Sequence, residues 1–240
     1  GTYVLEWEIV NGTCSTTDQV TIGYAEAAEA GSAQDICGSL LATLAGNDPT
    51  IGLGTWTQVS GPGTITFGDA NVYNTTATAD AYGTYVLEWE IVNGTCSTTD
   101  DVEIWFEPIP VISGEDDTIC NNTSTNIGLS TTTDVRYGVR YTWTVNDPSG
   151  EITGESNSTG NGNNIEQNLQ QILINNDTDA HRVTYSIIPH TIYSDSSLHC
   201  TGNQILVEVW VNPTPDIDVT ASDTVLCNGE STTINISNPN

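Results

Sequence analysis

The stretch GTYVLEWEIVNGTCSTTD, residues 1–18, recurs without a single change as residues 83–100. The two copies begin 82 residues apart, a distance that fits one small domain. Identity over 18 positions indicates a duplicated module, and such repeats typically build arrays of similar domains. The sequence therefore predicts tandem copies of one small domain.

The repeated block has the alternation of a β-strand. In residues 3–10 a large apolar side chain occupies every second position, and Trp7 and Trp89 stand at equivalent places. An Asn-Gly step follows each copy, at Asn11 and Asn93, and favours a tight hairpin because both residues tolerate a positive φ. We therefore predict that Trp7 and Trp89 point inward from the penultimate strand of their modules.

Composition excludes several classes of function. The chain has 31 acidic and 3 basic residues among 240, a formal net charge of −28. Such a polyanion repels phosphate backbones and anionic lipid, so nucleic-acid binding is excluded. No apolar run approaches the roughly 20 residues that a membrane span needs. Six tryptophans and 37% hydrophobic residues provide enough apolar material for packed cores.

The repeat divides the chain into four parts. We predict the closing half of a module in residues 1–24, a complete module in 25–107, a larger complete module in 108–212 and the opening part of another in 213–240. Pro-X-Pro steps such as 108–110 and 213–215 favour extended spacers at the boundaries. The segment 25–34 is expected to be extended chain, with a helical turn as the alternative.

Six cysteines complete the pattern. This register predicts disulfides between Cys37 and Cys96 and between Cys120 and Cys200, each joining the start of a module to its end. Trp56 or Trp143 lies between the paired cysteines, which is the spacing of an immunoglobulin-like sandwich. The partners of Cys14 and Cys227 are then expected to lie outside this chain. Disulfides imply an oxidising, extracytoplasmic location.

Longer strings carry a family resemblance. The most specific are WTQVSGPG (56–63) with AYGTYVLEWEIVNGTC (81–96), and VTYSIIP (183–189) with NPTP (212–215). They resemble the PKD-like and Ig-like repeats of very large secreted surface proteins of gliding bacteria of the Bacteroidota type. The resemblance covers nearly the whole chain.

The resemblance implies a fold and a role. Its fold is all-β: tandem Ig-like/PKD-like β-sandwich modules, disulfide-bonded and forming an elongated array. Related repeats form stalks or filaments of gliding-motility adhesins that the type IX secretion system exports to the cell surface. The expected partners are adjoining modules of the same long chain, other copies in a surface filament, and surface glycans, with no nucleic acid and no membrane insertion.

The sequence offers no constellation of catalytic residues, so we expect no enzyme activity and no resident cofactor. His181, His190 and His199 lie nine residues apart, without the spacing that aims two imidazoles at one metal. Two acidic clusters, Asp100–Glu103 and Glu115–Asp117, are expected to be solvated faces, with calcium binding between domains as the alternative.

Two threonines are candidate modification sites. Thr118 and Thr224 each follow an aspartate and precede an apolar residue, which resembles the O-glycosylation motif of the same bacterial group. A turn that leads into a strand is the alternative explanation.

The runner-up function is a carbohydrate-binding or spacer module of a secreted polysaccharide-degrading enzyme. Trp105 and Trp210 alternate out of the predicted core face and could present aromatic platforms to a sugar. Packing of these side chains against a neighbouring module is the alternative that we favour.

Overall fold

A computed structural model describes residues 1–24, 26–160, 162–165 and 167–237. These residues form strands and loops without an α-helix, which confirms the all-β prediction. Consequently, no described helix is available that could cross a bilayer. The chain divides into two compact units, Gly1–Pro108 and Ile109–Asn240. The finer division into four modules stays a prediction.

The described part of the first unit contains nine strands: β1 (Thr2–Asn11), β2 (Cys14–Gly23), β3 (Gln34–Cys37), β4 (Leu41–Thr43), β5 (Leu53–Ser60), β6 (Ile65–Phe67), β7 (Thr76–Ala79), β8 (Gly83–Asn93) and β9 (Cys96–Glu107). One sheet has the order β3-β9-β8-β5 and a second has the order β4-β7-β6. β1 and β2 form a separate two-stranded sheet. The strand β3 runs parallel to β9, whereas the other pairs are antiparallel.

The second unit follows with these strands: β10 (Ile112–Gly114), β11 (Asp117–Cys120), β12 (Thr123–Ser124), β13 (Leu129–Thr131), β14 (Val139–Asn146), β15 (Ile152–Thr153), β16 (Asn163–Asn164), β17 (Ile172–Asn175), β18 (His181–Ile192), β19 (Leu198–Thr201), β20 (Ile205–Asn212), β21 (Asp218–Ala221) and β22 (Ile234–Ser237). Its largest sheet has the order β11-β20-β18-β14-β16, with β19 paired to β18. The smaller sheets are β12-β17-β15, β10-β13 and β21-β22.

The core of the first unit lies between its two larger sheets. Side chains of β8 at every second position are completely buried, as period-two alternation predicts. The rings of Trp56 and Trp89 meet there with centroids 5.0 Å apart, and the Trp56 indole donates a hydrogen bond to the Tyr73 carbonyl. Small residues of the opposing sheet, such as Ala77, complete the core. The prediction that Trp89 points inward is confirmed.

The second unit repeats this arrangement with other residues. Tyr141 and Trp143 on β14 lie with ring centroids 5.6 Å apart and pack among buried residues of β18 and β20. The strands β15 and β17 contribute Ile152 and Leu173 from the opposite side. Each unit therefore encloses a hydrophobic core that a sandwich of two sheets provides.

The two identical 18-residue sequences adopt the same hairpin in very different surroundings. Trp7 lies opposite Asp18 in β1–β2 just as Trp89 lies opposite Asp100 in β8–β9. Trp89 is 0% exposed, but Trp7 is 73% exposed. The two hairpins thus share one strand register. The predicted inward position is confirmed for Trp89 and wrong for Trp7, because no strand or sheet covers β1 among the described residues.

The hairpin turns differ slightly from expectation. Asn11 pairs with Cys14, so the two loop residues are Gly12 and Thr13 and the asparagine ends the strand. Gly12 has a φ of 64° and Thr13 is not among the residues with positive φ, the pattern of a type II′ turn. The second copy repeats this geometry, with a φ of 63° at Gly94.

Residues 26–33, which precede β3, form a loop without a helical turn. Its backbone is held against β9 by side chains: the Ala28 amide donates to Thr98 Oγ1 at 3.0 Å and the Ala30 amide to Asp100 Oδ2 at 2.7 Å. Asp100, from the first acidic cluster, therefore has a structural partner.

The two hairpins offer a matched pair of substitutions. Trp89→Ala should lower the free energy of unfolding of the first unit by about 3–5 kcal/mol, because it removes a buried indole. Trp7→Ala should change it by less than about 0.5 kcal/mol, because the same side chain is exposed. Urea unfolding followed by circular dichroism measures both values, and equal losses would contradict this account of the core.

Candidate functional site

The cysteines do not form the pairs that the sequence predicted. Cys37 and Cys200 are each disulfide-bonded, whereas Cys14, Cys96, Cys120 and Cys227 are exposed free thiols. The predicted disulfides Cys37–Cys96 and Cys120–Cys200 are therefore corrected.

Strand direction explains the correction in the first unit. Because β3 runs parallel to β9, Cys37 lies opposite Glu107, at the end of that strand. Cys96 is the first residue of the same strand, directly after the hairpin turn. Eleven residues of strand separate the two positions, about 35 Å at roughly 3.3 Å per residue. A disulfide requires Cα atoms within about 7 Å.

The second unit has the same geometry. Cys120 lies opposite Asn212, and the neighbouring Val211 lies opposite His181 at the start of β18. The amide of Cys200 donates to Thr191 Oγ1, near the other end of β18. These positions are about 30 Å apart along the strand. Both predicted pairs therefore span a sheet from end to end.

The second acidic cluster borders an open cleft of about 480 Å³. Glu115, Asp116 and Asp117 line it together with Asn126 and residues of β10 and β13. Asp116 Oδ1 accepts a hydrogen bond from the Glu208 amide, and Asp117 Oδ1 accepts one from the Thr118 amide, both at 2.8 Å. These two carboxylates hold the local backbone by hydrogen bonds. Calcium binding by this cluster stays an untested alternative to a solvated acidic face.

Asn126 was not singled out by the sequence, although it organises the polar rim of this region. Its Oδ1 accepts hydrogen bonds from the side-chain amides of Asn168 at 2.8 Å and Gln170 at 3.2 Å. Both donors belong to the polar stretch that joins β16 to β17. No local sequence signal could have indicated this contact, because 42 residues separate Asn126 from Asn168.

The described residues of the polar stretch 154–171, namely 154–160, 162–165 and 167–171, pack onto the sandwich. Ser156 accepts a hydrogen bond from the Trp143 indole at 2.8 Å, and Leu169 is completely buried. Asn163 and Asn164 form β16, which extends the sheet beside β14. These residues therefore cover the β14 edge of the large sheet and part of the core of the second unit, and they also present polar side chains to solvent.

The three histidines lie in separate environments. His181 Nε2 is 2.7 Å from Asp177 Oδ2, and this hydrogen bond raises the pKa of the imidazole. His190 is buried between the hydroxyls of Thr142 and Thr201, and burial lowers its pKa. His199 stacks on the Tyr193 ring with centroids 4.1 Å apart. His181 and His190 are about 30 Å apart along β18 and do not share one site.

The two outward tryptophans differ in accessibility. Trp105 is 4% exposed and cannot serve as an open platform for a ligand. Trp210 is 42% exposed and lies between Thr118 on β11 and Arg182 on β18. Arg182 itself is paired with Glu208 at 2.5 Å. Trp210 is therefore the one of the two candidates that a sugar ring could reach.

The candidate modification sites are both accessible. Thr118 lies on the edge strand β11 with an exposed side chain, and Thr224 lies in the exposed bend between β21 and β22. Accessibility is compatible with O-glycosylation, which stays a prediction for both.

Thiol labelling tests the corrected cysteine assignment. In the native chain, Cys14, Cys96, Cys120 and Cys227 should react with a maleimide because they are exposed thiols, and Cys37 and Cys200 should react only after reduction. Peptide mapping by mass spectrometry identifies the labelled residues. Recovery of a Cys37–Cys96 or Cys120–Cys200 cross-link would contradict the structure.

Comparison with solved structures finds proteins that contain several EC or Ig domains. The chain has 8% identity and a TM-score of 0.33 to human protocadherin-24 EC1-2, covering 76% of this chain and 95% of that one. For mouse clustered PcdhgC3 EC1-3 the identity is 11% and the TM-score 0.38, with 89% and 76% covered. For the eight N-terminal Ig domains of Down Syndrome Cell Adhesion Molecule the identity is 10% and the TM-score 0.43, and the match covers 92% of this chain and 29% of that one.

A comparison with families is more specific. None of the curated proteins compared with the chain matches its sequence. Residues 117–215, which begin with β11 and extend just beyond β20, match the family model of the PKD-like domain. This part of the second unit is thus similar to the PKD-like domain.

Proposed function

We propose that the chain is a non-enzymatic segment of a repetitive extracellular protein, serving as a structural or adhesive stalk or filament at the cell surface. The observation that carries the proposal is the duplicated hairpin, which forms the inner strands of a closed sandwich in its second copy. Each module of this kind buries its own core, so added modules extend the chain without creating a catalytic pocket.

The PKD-like match and the disulfide-bonded Cys37 and Cys200 support an extracellular module. The finer assignment, a gliding-motility adhesin of the Bacteroidota type exported by the type IX secretion system, rests on the sequence resemblance. In this role the chain would contact adjoining modules of the same polypeptide, other copies in a filament and surface glycans.

Charge supports a spacer role. A net charge of −28 keeps parallel chains apart in solution and disfavours compact self-association. It also explains why a surface filament of this composition would avoid anionic lipid and nucleic acid.

The exposure of Trp210 favours a second candidate function, that of a carbohydrate-binding module. An exposed indole can stack on a sugar ring, and Arg182 beside it offers hydrogen-bond donors. A glycan array probed with the chain and with Trp210→Ala distinguishes the candidates, with Leu206→Ala as a control on another exposed apolar residue of β20. Binding that only Trp210→Ala abolishes would favour the sugar-binding function.

Solution X-ray scattering tests the stalk proposal. A chain in which residues 25–107 are duplicated in tandem should have a maximum dimension larger by about 40 Å, the length of a 12-residue strand such as β9. An unchanged maximum dimension would contradict the stalk. Hydrolysis of a polysaccharide or peptide, abolished by a point change in this chain, would contradict its non-enzymatic nature.

A further inference from the structure

The hairpin β1–β2 exposes an apolar face that its identical copy buries. The face comprises four side chains of β1 that are 54–73% exposed: Tyr3, Leu5, Trp7 and Ile9. Their counterparts on β8 are each 0% exposed: Tyr85, Leu87, Trp89 and Ile91. Since the sequences and registers are the same, only the covering strands differ. The buried copy therefore shows what would cover the exposed one.

In the buried copy, two elements cover this face. β5 pairs antiparallel with β8 and places Trp56 opposite Trp89, and the sheet β4-β7-β6 packs across the core. In the exposed copy, the corresponding edge of β1 has no strand beside it among the described residues, because β1 pairs with β2 alone. An unpaired edge next to an apolar face can accept another strand.

Glycines of the covering segment make room for the large rings. A Cβ atom on Gly54 would lie 2.0 Å from Trp89 Cζ2, and one on Gly61 would lie 2.2 Å from Tyr85 Cδ1. These distances leave no space for any side chain at either position. A segment that covers Trp7 and Tyr3 must therefore have glycine at the same two positions relative to its own tryptophan.

Chain order indicates where the covering segment comes from. In the buried copy, residues 26–82 supply the covering strands and lead directly into Gly83 at the start of β8. A second copy of this chain is a poor source, because its own residues 26–82 already cover β8–β9. The net charge of −28 on each chain also opposes association.

We propose that the apolar face of β1–β2 binds a polypeptide segment joined ahead of it in the same chain, with the Gly-Thr-Trp…Gly pattern of residues 54–61. This segment pairs with β1 as β5 pairs with β8, and its glycines receive the rings of Trp7 and Tyr3. The inference deepens the proposed array by defining how one of its modules is completed.

An extended chain tests the inference. A second copy of residues 25–82 is placed ahead of Gly1 in the full chain, so that Tyr82 precedes Gly1 as it precedes Gly83. Tryptophans are labelled with 5-fluorotryptophan, and Trp7→Phe assigns the Trp7 resonance in ¹⁹F NMR. The H₂O/D₂O shift of Trp7 should fall to the level of Trp89, because the ring becomes buried.

Two substitutions in the added segment serve as matched variants. Gly54→Val should leave Trp7 exposed, because a side chain there overlaps the indole, while Trp89 stays buried against the original residues 26–82. Thr57→Val, at an exposed position of the same strand, should preserve burial of Trp7 and shows that the added segment tolerates substitution.

Either of two outcomes would overturn the inference. One is an exposed Trp7 in the extended chain. The other is a buried Trp7 in the original chain together with a doubled molecular mass, which would assign the face to a second copy. Neither outcome depends on the scattering result. The stalk proposal and the proposed binding of a segment to β1–β2 can therefore be contradicted independently.

Discussion

The packing of Trp89 against Trp56 organises the first module. Their rings lie 5.0 Å apart between two sheets, and the indole of Trp89 fits only because Gly54 on the neighbouring strand has no side chain. The same contact fixes which face of β8 points inward, since a shift of one residue would move the whole apolar set to solvent. The outward placement of the acidic side chains of β8, Glu88 and Glu90, follows from that choice of face.

The duplicated sequence separates local from tertiary causes. Both copies form the same hairpin with the same register and the same turn, so these features arise from the local sequence. Burial does not, because Trp7 is exposed and Trp89 is enclosed. A two-stranded sheet is marginally stable by itself, and the covering strands supply most of the stabilisation in the complete module. The stability of an array of such modules therefore depends on each hairpin being covered by strands like β5 and the sheet β4-β7-β6.

The sequence predicted what depends on short-range pattern. Strand alternation placed Trp89 correctly, and the repeat located the hairpins, although the asparagine ends the strand and does not enter the turn. The predicted disulfides were wrong because Cys37 ends a strand that runs parallel to β9, and pairing between distant segments leaves no trace in residue spacing. For the same reason the contact between Asn126 and Asn168 and the burial of Leu169 were missed.

Hydrogen–deuterium exchange tests most directly whether covering strands alone distinguish the two copies. Pepsin fragments from within residues 1–18 and 83–100 have identical sequences and masses, so each such fragment reports both hairpins at once. We expect two isotopic envelopes of equal area, a rapidly exchanging one from β1–β2 and a protected one from β8–β9. A single envelope at all exchange times would show that the two copies are equally protected and would contradict the account.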